Sequence, residues 1–206
     1  MIVSVSIPLN VDELLLVQQK QIEDWHKTPH TPGEPGDLLN RTTLLNHFNF
    51  ALWHQEDLAR DPIASDALIA KVKRAIDKLN QQRNDMIERV DEALLEHFSC
   101  VKPSDNARLN SETPGSMIDR LSINALKIFH MTEETERESA TPEHKAKCAE
   151  KLAVLRIQRA DLGNCLHEIL ADLANGTKYL KVYRQMKMYN DPTLNPVLYA
   201  QKSKAP

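Results

Sequence analysis

Two long seams of apolar residues, with steps that alternate between three and four positions, constrain the fold of this chain most strongly. The first runs through Ile76, Leu79, Met86 and Val90, and the second covers residues 152–173. This spacing places apolar side chains on one face of an α-helix and is typical of helices that pack side by side. The chain has only five glycines and four phenylalanines, which disfavours barrels, sandwiches and glycine-rich nucleotide-binding sheets. We therefore predict an all-α fold.

Start and stop signals divide the chain into about five helices joined by polar or proline-rich loops. The predicted helices cover residues 11–25, 38–61, 65–98, 116–131 and 142–175. Asp37 is a predicted N-cap, and Thr141 with Pro142 supplies a cap and a first helical residue, because these residue types favour a helix start. Ser116 with Asp119 resembles a capping box and predicts the start of the fourth helix.

The 206 residues are predicted to form a single domain, an antiparallel bundle with an irregular basic tail. Residues 1–36 give a first helix and a Pro/Gly loop, 37–176 the core bundle, and 177–206 the tail. The tail holds six basic residues and one acid, a net charge of +5, against −8 for the rest of the chain. We therefore expect the tail to pack on the acidic helices of the bundle, although a basic tail can equally meet an anionic partner.

Charge, cysteine content and hydropathy disfavour several classes of protein. The net charge of −3 and a pI near 6.2 argue against a general nucleic-acid binder, which would be basic. The three cysteines, at positions 100, 148 and 165, are an odd number without Cys-x-x-Cys spacing, so no disulfide framework or thiolate zinc site is expected. No run of ~18 apolar residues exists, as a membrane span would require. We expect a soluble, cytoplasmic protein without membrane contact.

Two arginines, Arg83 and Arg159, interrupt the apolar seams at positions that face a core. An ion placed there loses its hydration and needs an acid, a ligand or a water-filled cleft in compensation. We therefore expect both guanidinium groups to point inward, toward carboxylates on neighbouring helices. The candidate acids are Glu56, Asp57, Asp85, Glu88, Asp91 and Asp119.

The second predicted helix adds a polar stripe, with steps of three and four residues, made of Asn49, Trp53, Glu56 and Arg60. One helix face thus presents a ring, a carboxylate and a guanidinium group. Together with the inward arginines, this stripe favours a polar pocket in which arginines hold a phosphate or a carboxylate. An internal network of Arg-carboxylate bonds that only fixes the helix register explains the same residues equally well.

A magnesium site is a further alternative, because carboxylate oxygens are ligands that Mg²⁺ prefers. The acids available for it are Glu56, Asp57, Glu88 and Asp91. Glu88 and Asp91 lie three residues apart on one helix face, as in magnesium-dependent all-α nucleotide pyrophosphohydrolases. The Glu56-Asp57 half of that pattern lacks a further glutamate one turn on.

Histidine ligands for a metal are not predicted. His47 and His54 are two helical turns apart, too far to share one metal ion directly. The histidines at 97, 130, 144 and 167 are each single, and such residues are more often structural than catalytic. Nucleophile-elbow, phosphate-loop and zinc-protease motifs are absent from the sequence.

Four segments resemble a bacterial family known as domain of unknown function 4254. They are NFALWHQEDLAR from Asn49, NQQRND from Asn80, TPGSMIDRLSINALKIFHM from Thr113 and VYRQMKMYNDPTLNP from Val182. The resemblance implies a helical protein of unassigned chemistry that tends to occur near genes for surface-glycan assembly. The residues that it picks out are Trp53, Glu56, Asp57, Arg83, Asn84, Asp85, Asp119, Arg120, Tyr189, Asn190 and Asp191.

The leading functional hypothesis is a protein that binds an anionic small molecule, a nucleotide or a sugar phosphate. Arg83, Arg120 or Arg159 would hold the anion beside the acids of the polar centre. A structural or interaction protein whose basic tail recruits a partner is the alternative, and a magnesium-dependent pyrophosphohydrolase is third. Whether the chain is an enzyme, and whether it forms a homo-oligomer, stays open.

Overall fold

A computed structural model describes residues 5–188 and 191–202 of the chain. Within this part it contains six α-helices and two short strands. The helices are α1 (Val11–Lys27), α2 (Leu38–Leu58), α3 (Asp66–His97), α4 (Pro114–Glu136), α5 (Pro142–Asn175) and α6 (Pro196–Lys202). The strands are β1 (Arg108–Leu109) and β2 (Lys178–Tyr179). The helices pack as a bundle, which confirms the predicted all-α fold.

Most helix starts follow the predicted caps. The Asp37 carboxylate accepts a bond from the backbone N–H of Asn40 at 2.9 Å, and the Thr141 hydroxyl caps α5 in the same way. Gly176 ends α5 with φ of 68°, a left-handed conformation that glycine adopts without steric cost.

The predicted start of α4 at Ser116 and Asp119 is wrong. Thr113 is the N-cap, its side chain accepts from the backbone N–H of Ser116, and Pro114 is the first helical residue. The helix therefore begins with the same Thr-Pro signal as α5. Asp119 lies one turn inside the helix, and its carboxylate is free to contact another helix.

Helix α4 is the centre of the bundle because it packs against α1, α2, α3 and α5. Its residues Ile118 and Leu121 are fully buried, together with Leu45, Leu94 and Leu166 from three other helices. Polar side chains on a helix surrounded in this way must find partners inside the protein. No helix in the described ranges combines the length and the apolar content needed to cross a membrane.

The start of the tail is attached to the bundle through a pairing that the sequence did not predict. Strand β2 runs parallel to β1, with Arg108 opposite Lys178 and Leu109 opposite Tyr179. The tail then continues along α3, where the guanidinium group of Arg184 contacts Glu88 at 2.7 Å.

Helices α3 and α4 come into close contact at Gly115. Its backbone N–H donates to Asp91 Oδ1 at 2.7 Å, and the Thr113 hydroxyl donates to Asp91 Oδ2 at 2.5 Å. A Cβ atom at Gly115 would lie 2.6 Å from the backbone oxygen of Ile87. The absence of a side chain therefore lets Asp91 cap the start of α4 from the neighbouring helix.

We expect Gly115→Ala to destabilise the protein by about 1–3 kcal/mol, because the methyl group forces two backbones apart. Alanine normally stabilises a helix relative to glycine by about 1 kcal/mol. The expected change in the free energy of unfolding is therefore opposite in sign to the change that helix propensity alone would give. Urea unfolding measures the difference. Gly33→Ala is the control, because a Cβ at Gly33 meets nothing within 4 Å. Equal stabilities of the two variants would contradict the close contact.

Burial raises the pKa of Asp91 to about 6, against the opposing effect of its bonds from Thr113 and Gly115. A carboxyl group with a raised pKa in the folded state favours folding below its unfolded pKa, and this contribution is lost as the pH rises through 6.

We therefore expect the free energy of unfolding of the wild type, relative to Asp91→Asn, to fall by about 2–3 kcal/mol between pH 4 and pH 7. Urea unfolding of both proteins at several pH values measures this difference. A difference that stays constant over that range would show that Asp91 ionises as easily inside the protein as outside.

Candidate functional site

An ion pair between Arg83 on α3 and Asp119 on α4 forms the centre of the candidate site. Arg83 donates from Nε to Asp119 Oδ1 at 2.8 Å and from Nη2 to Oδ2 at 2.5 Å. The Asp119 side chain is only 5% exposed and that of Arg83 is 25% exposed. Asp119 is therefore the carboxylate partner on a neighbouring helix that the apolar seam predicts for Arg83. The two parallel bonds fix the plane and position of the guanidinium group.

A line of amide and hydroxyl side chains continues from this pair into the core. Asn49 Nδ2 donates to Asp119 Oδ1 at 2.8 Å and to Ser122 Oγ at 3.1 Å. Ser122 Oγ donates to Asn46 Oδ1 at 2.7 Å, and Asn46 Nδ2 donates to Gln21 Oε1 at 2.9 Å. Asn46 and Ser122 are fully buried. Sequence reasoning missed both, and the only available signal was a polar residue within a face that is otherwise apolar.

Arg159 is buried, but the expected carboxylate partner is wrong. It donates from Nη1 to the backbone oxygen of Leu121 at 2.8 Å and from Nη2 to that of Leu15 at 2.7 Å. Gln18 Oε1 lies 3.4 Å from Nη2. Burial lowers the pKa of Arg159 to about 10. Helix carbonyl oxygens thus replace the acid, because α1 and α4 pass on either side of the guanidinium group.

The Arg83 cleft is a cavity of about 420 Å³ between α2, α3 and α4. Its lining residues are Asn49, Leu52, Trp53, Glu56, Asp57, Arg60, Asn80, Arg83, Ile123 and Leu126. Six residues that the sequence analysis names therefore share one cavity: Asn49, Trp53, Glu56, Asp57, Arg60 and Arg83. Arg159 lines a different cavity of about 760 Å³, so the two seam arginines do not form one clamp.

Other nominated residues lie outside the Arg83 cleft. Arg120 is half exposed, pairs with Glu112 at 2.5 Å and lines a separate cavity of about 390 Å³. Asp85 is exposed and accepts a bond from Gln81 on its own helix at 2.6 Å. Asn84 is half-buried on α3 and is not among the residues that line the cleft.

Asp191, nominated in the tail, is not among the residues that line the cleft. Asp191 accepts bonds from the backbone N–H and the hydroxyl of Thr193, at 2.7 and 2.6 Å, and so stabilises its own turn. Tyr189 and Asn190 lie outside the described residues.

The acids considered for magnesium are largely engaged by other protein groups. Glu88 accepts from Arg184 and from the backbone N–H of Gln185, and Asp91 is held by Thr113 and Gly115. The Glu88 and Asp91 pair therefore does not present two available carboxylates to an ion.

Three histidines from three helices meet beside Trp53, and sequence reasoning missed this group. They are His26 at the end of α1, His54 on α2 and His130 on α4, and their potential ligand atoms lie within 4.8 Å of one another. The indole of Trp53 stacks on the ring of His130 with centroids 4.9 Å apart. No sequence spacing could reveal the group, because its members are far apart along the chain.

We expect Arg83→Met to lower the free energy of unfolding by about 3 kcal/mol, because Asp119 would remain buried without a counter-charge. The double variant Arg83→Met, Asp119→Asn removes both charges and should recover part of this loss. Urea unfolding of the two single variants and the double variant measures the coupling. Strictly additive effects would show that the pair does not act as a unit.

The family model described as Protein of unknown function (DUF4254) matches residues 40–182. This range contains the Arg83 cleft, the Asp119 pair and Arg159, but it ends before Tyr189, Asn190 and Asp191. No curated protein and no solved structure is significantly similar to the chain. Because the match covers most of the sequence, it confirms the resemblance, and the chain belongs to the DUF4254 family.

Proposed function

We propose that the protein binds an anionic small molecule, a sugar phosphate or a nucleotide, in the Arg83 cleft. The observation that carries this proposal is the presence of two guanidinium groups and an indole ring on the wall of one cavity, those of Arg60, Arg83 and Trp53. Its volume of about 420 Å³ lies within the range of small-molecule sites, about 300–1,000 Å³.

Arg83 supplies the fixed cation of the cleft. Its Nε and Nη2 atoms are used by Asp119, and Nη1 is the guanidinium nitrogen outside that pair. Because Asp119 holds the group in place, a ligand that bonds to it has little side-chain entropy to remove.

Arg60 supplies a cation that can move toward a ligand. Arg60 lies two residues past the end of α2, which stops at Leu58 and not near residue 61 as predicted. Its Nη1 atom donates to the backbone oxygen and to Oε2 of Glu56, both at 2.6 Å, and the Arg60 side chain is 69% exposed. Exposed pairs of this kind contribute only about 0.3–0.5 kcal/mol. A phosphate group can therefore take the place of Glu56 as the partner of Arg60 at little cost.

The remaining polar groups suit hydroxyl groups of a ligand. Glu56 and Asp57 offer acceptor oxygens and Asn80 offers an amide, while the indole of Trp53 offers a flat surface to a sugar ring or a base. The lining carries carboxylates as well as arginines, which favours a ligand with both an anionic group and hydroxyl groups over a bare inorganic anion. A sugar phosphate also suits the surface-glycan setting that the family resemblance implies.

The alternative of a tail that recruits a partner has less support. Lys178 contacts Asp172 at 3.0 Å, and Arg184 contacts both Glu88 and Glu92. Part of the basic charge of the tail is therefore already paired with acids of the bundle.

Thermal-shift and calorimetric titration with a panel of sugar phosphates and nucleotides tests the proposal. A ligand that binds only the folded protein raises its melting temperature, by an amount that corresponds to about 2.7 kcal/mol at 100 times its Kd. Inorganic phosphate is the control ligand and should give a smaller shift at the same concentration. A panel in which no compound raises the melting temperature would refute the proposal.

For a ligand found in this way, Arg60→Gln should weaken binding about 10-fold or more, because a hydrogen bond to a charged group contributes about 1.5–3 kcal/mol. Arg74→Gln is the matched control, since Arg74 is an exposed arginine on α3 that does not line the cleft. Equal affinities of the two variants would place the ligand elsewhere.

A further inference from the structure

We propose that His26, His54 and His130 form a binding site for one Zn²⁺ ion. The three rings come from α1, α2 and α4, and their centroids are 5.0, 5.1 and 5.8 Å apart. This site is separate from the anion site proposed above and does not depend on it.

Two of the three rings have a buried nitrogen for which the described residues provide no partner. These atoms are His26 Nε2 and His130 Nε2. A buried polar atom without a hydrogen bond costs about 1–3 kcal/mol, and nearly all such atoms in proteins have a partner. A metal ion would supply the missing partner of both atoms at once.

The other ring nitrogen of His26 and of His130, Nδ1, is hydrogen-bonded in a way that suits a metal ligand. His26 Nδ1 lies 2.7 Å from the backbone oxygen of Ile22, and His130 Nδ1 lies 2.8 Å from Glu133 Oε2. A carbonyl oxygen and a carboxylate only accept hydrogen bonds, so both Nδ1 atoms carry the proton. In the neutral form of each ring, Nε2 then presents its lone pair, and metal-bound histidines commonly have this arrangement.

Only small movements of side chains are needed for the three rings to reach the geometry of a zinc site. A tetrahedral zinc ion with bonds of about 2.0–2.1 Å holds its nitrogen ligands about 3.3 Å apart, whereas the potential ligand atoms lie within 4.8 Å of one another here. His54 is the least constrained of the three, since its Nδ1 atom is 3.9 Å from Asp57 Oδ2, beyond hydrogen-bond distance. Rotation of this ring, with small shifts of the other two, would bring the three ligands together.

The donor set determines which metal the site selects. Three imidazole nitrogens suit Zn²⁺ and its transition-metal neighbours, whereas Mg²⁺ and Ca²⁺ prefer oxygen ligands. Aromatic rings of Phe50, Trp53 and Phe129 pack against the cluster, while the His54 side chain is 39% exposed and gives an ion access from solvent. Three protein ligands leave a fourth position for a water molecule or another ligand, as in catalytic zinc sites.

A second group with metal-ligating atoms, Glu134, His144 and Cys148, provides an internal control. His144 Nε2 already contacts Glu134 Oε2 at 2.8 Å, and Arg137 pairs with the same carboxylate oxygen. The ligand atoms of this group are therefore engaged, and a neighbouring cation opposes the binding of another.

Titration of the chelator-treated full chain with Zn²⁺, by calorimetry and by competition with a chromophoric chelator, tests the site. The expected result is one bound ion per chain and a rise in the melting temperature. Replacing Zn²⁺ by Co²⁺ adds a visible spectrum of four-coordinate type that reports on the ligands directly. Absence of binding at micromolar protein and metal concentrations would overturn the proposal.

Variants identify the ligands. His26→Gln, His54→Gln and His130→Gln should each lower the affinity at least 10-fold, and Glu133→Gln should lower it about 10-fold through the orientation of His130. His144→Gln should leave the affinity unchanged. Circular dichroism of each variant without metal shows whether its fold is intact, and His54→Gln carries the test where a more buried variant fails to fold. A zinc affinity that His54→Gln leaves unchanged, or that His144→Gln lowers, would overturn the assignment.

Discussion

The buried carboxylate of Asp119 is the constraint on which the polar interior of this bundle depends. A charge on the central helix must be compensated inside the protein. Arg83 supplies the counter-charge from α3, and Asn49 supplies a further donor from α2. These bonds fix the positions of three helices relative to one another. Apolar packing alone would fix them less precisely, because apolar contacts have no preferred direction. The same bonds hold one guanidinium group in position on the wall of the Arg83 cleft.

The sequence allowed the fold and part of this site to be predicted, because both follow from periodicity along single helices. Arg83 was found as a charged residue within an apolar seam, and Trp53 with Glu56 as neighbours on one helix face. The partner of Arg159 was predicted wrongly, since periodicity gives the direction of a side chain but not the groups that it meets. Backbone oxygens of Leu15 and Leu121 meet it instead, and they carry no signal in the sequence.

The features that sequence reasoning missed all depend on the order in which the helices pack. His26, His54 and His130 become neighbours only because α1, α2 and α4 meet in the bundle, since they lie far apart along the chain. The short parallel pairing of β1 with β2 is likewise non-local. Two residues per strand are too few for any alternation of apolar and polar side chains to be recognised.

The position of Trp53 gives the two proposed sites a physical connection. The indole lines the Arg83 cleft and stacks on His130, one of the three proposed zinc ligands. A ligand against the indole and a metal ion on His130 would both restrict the same pair of stacked rings. If the metal ion has already ordered these two rings, the small molecule does not have to order them when it binds, and the reverse holds as well. Binding of one would therefore favour binding of the other, and such coupling is reciprocal. Binding of either proposed ligand is therefore best measured both with and without the other.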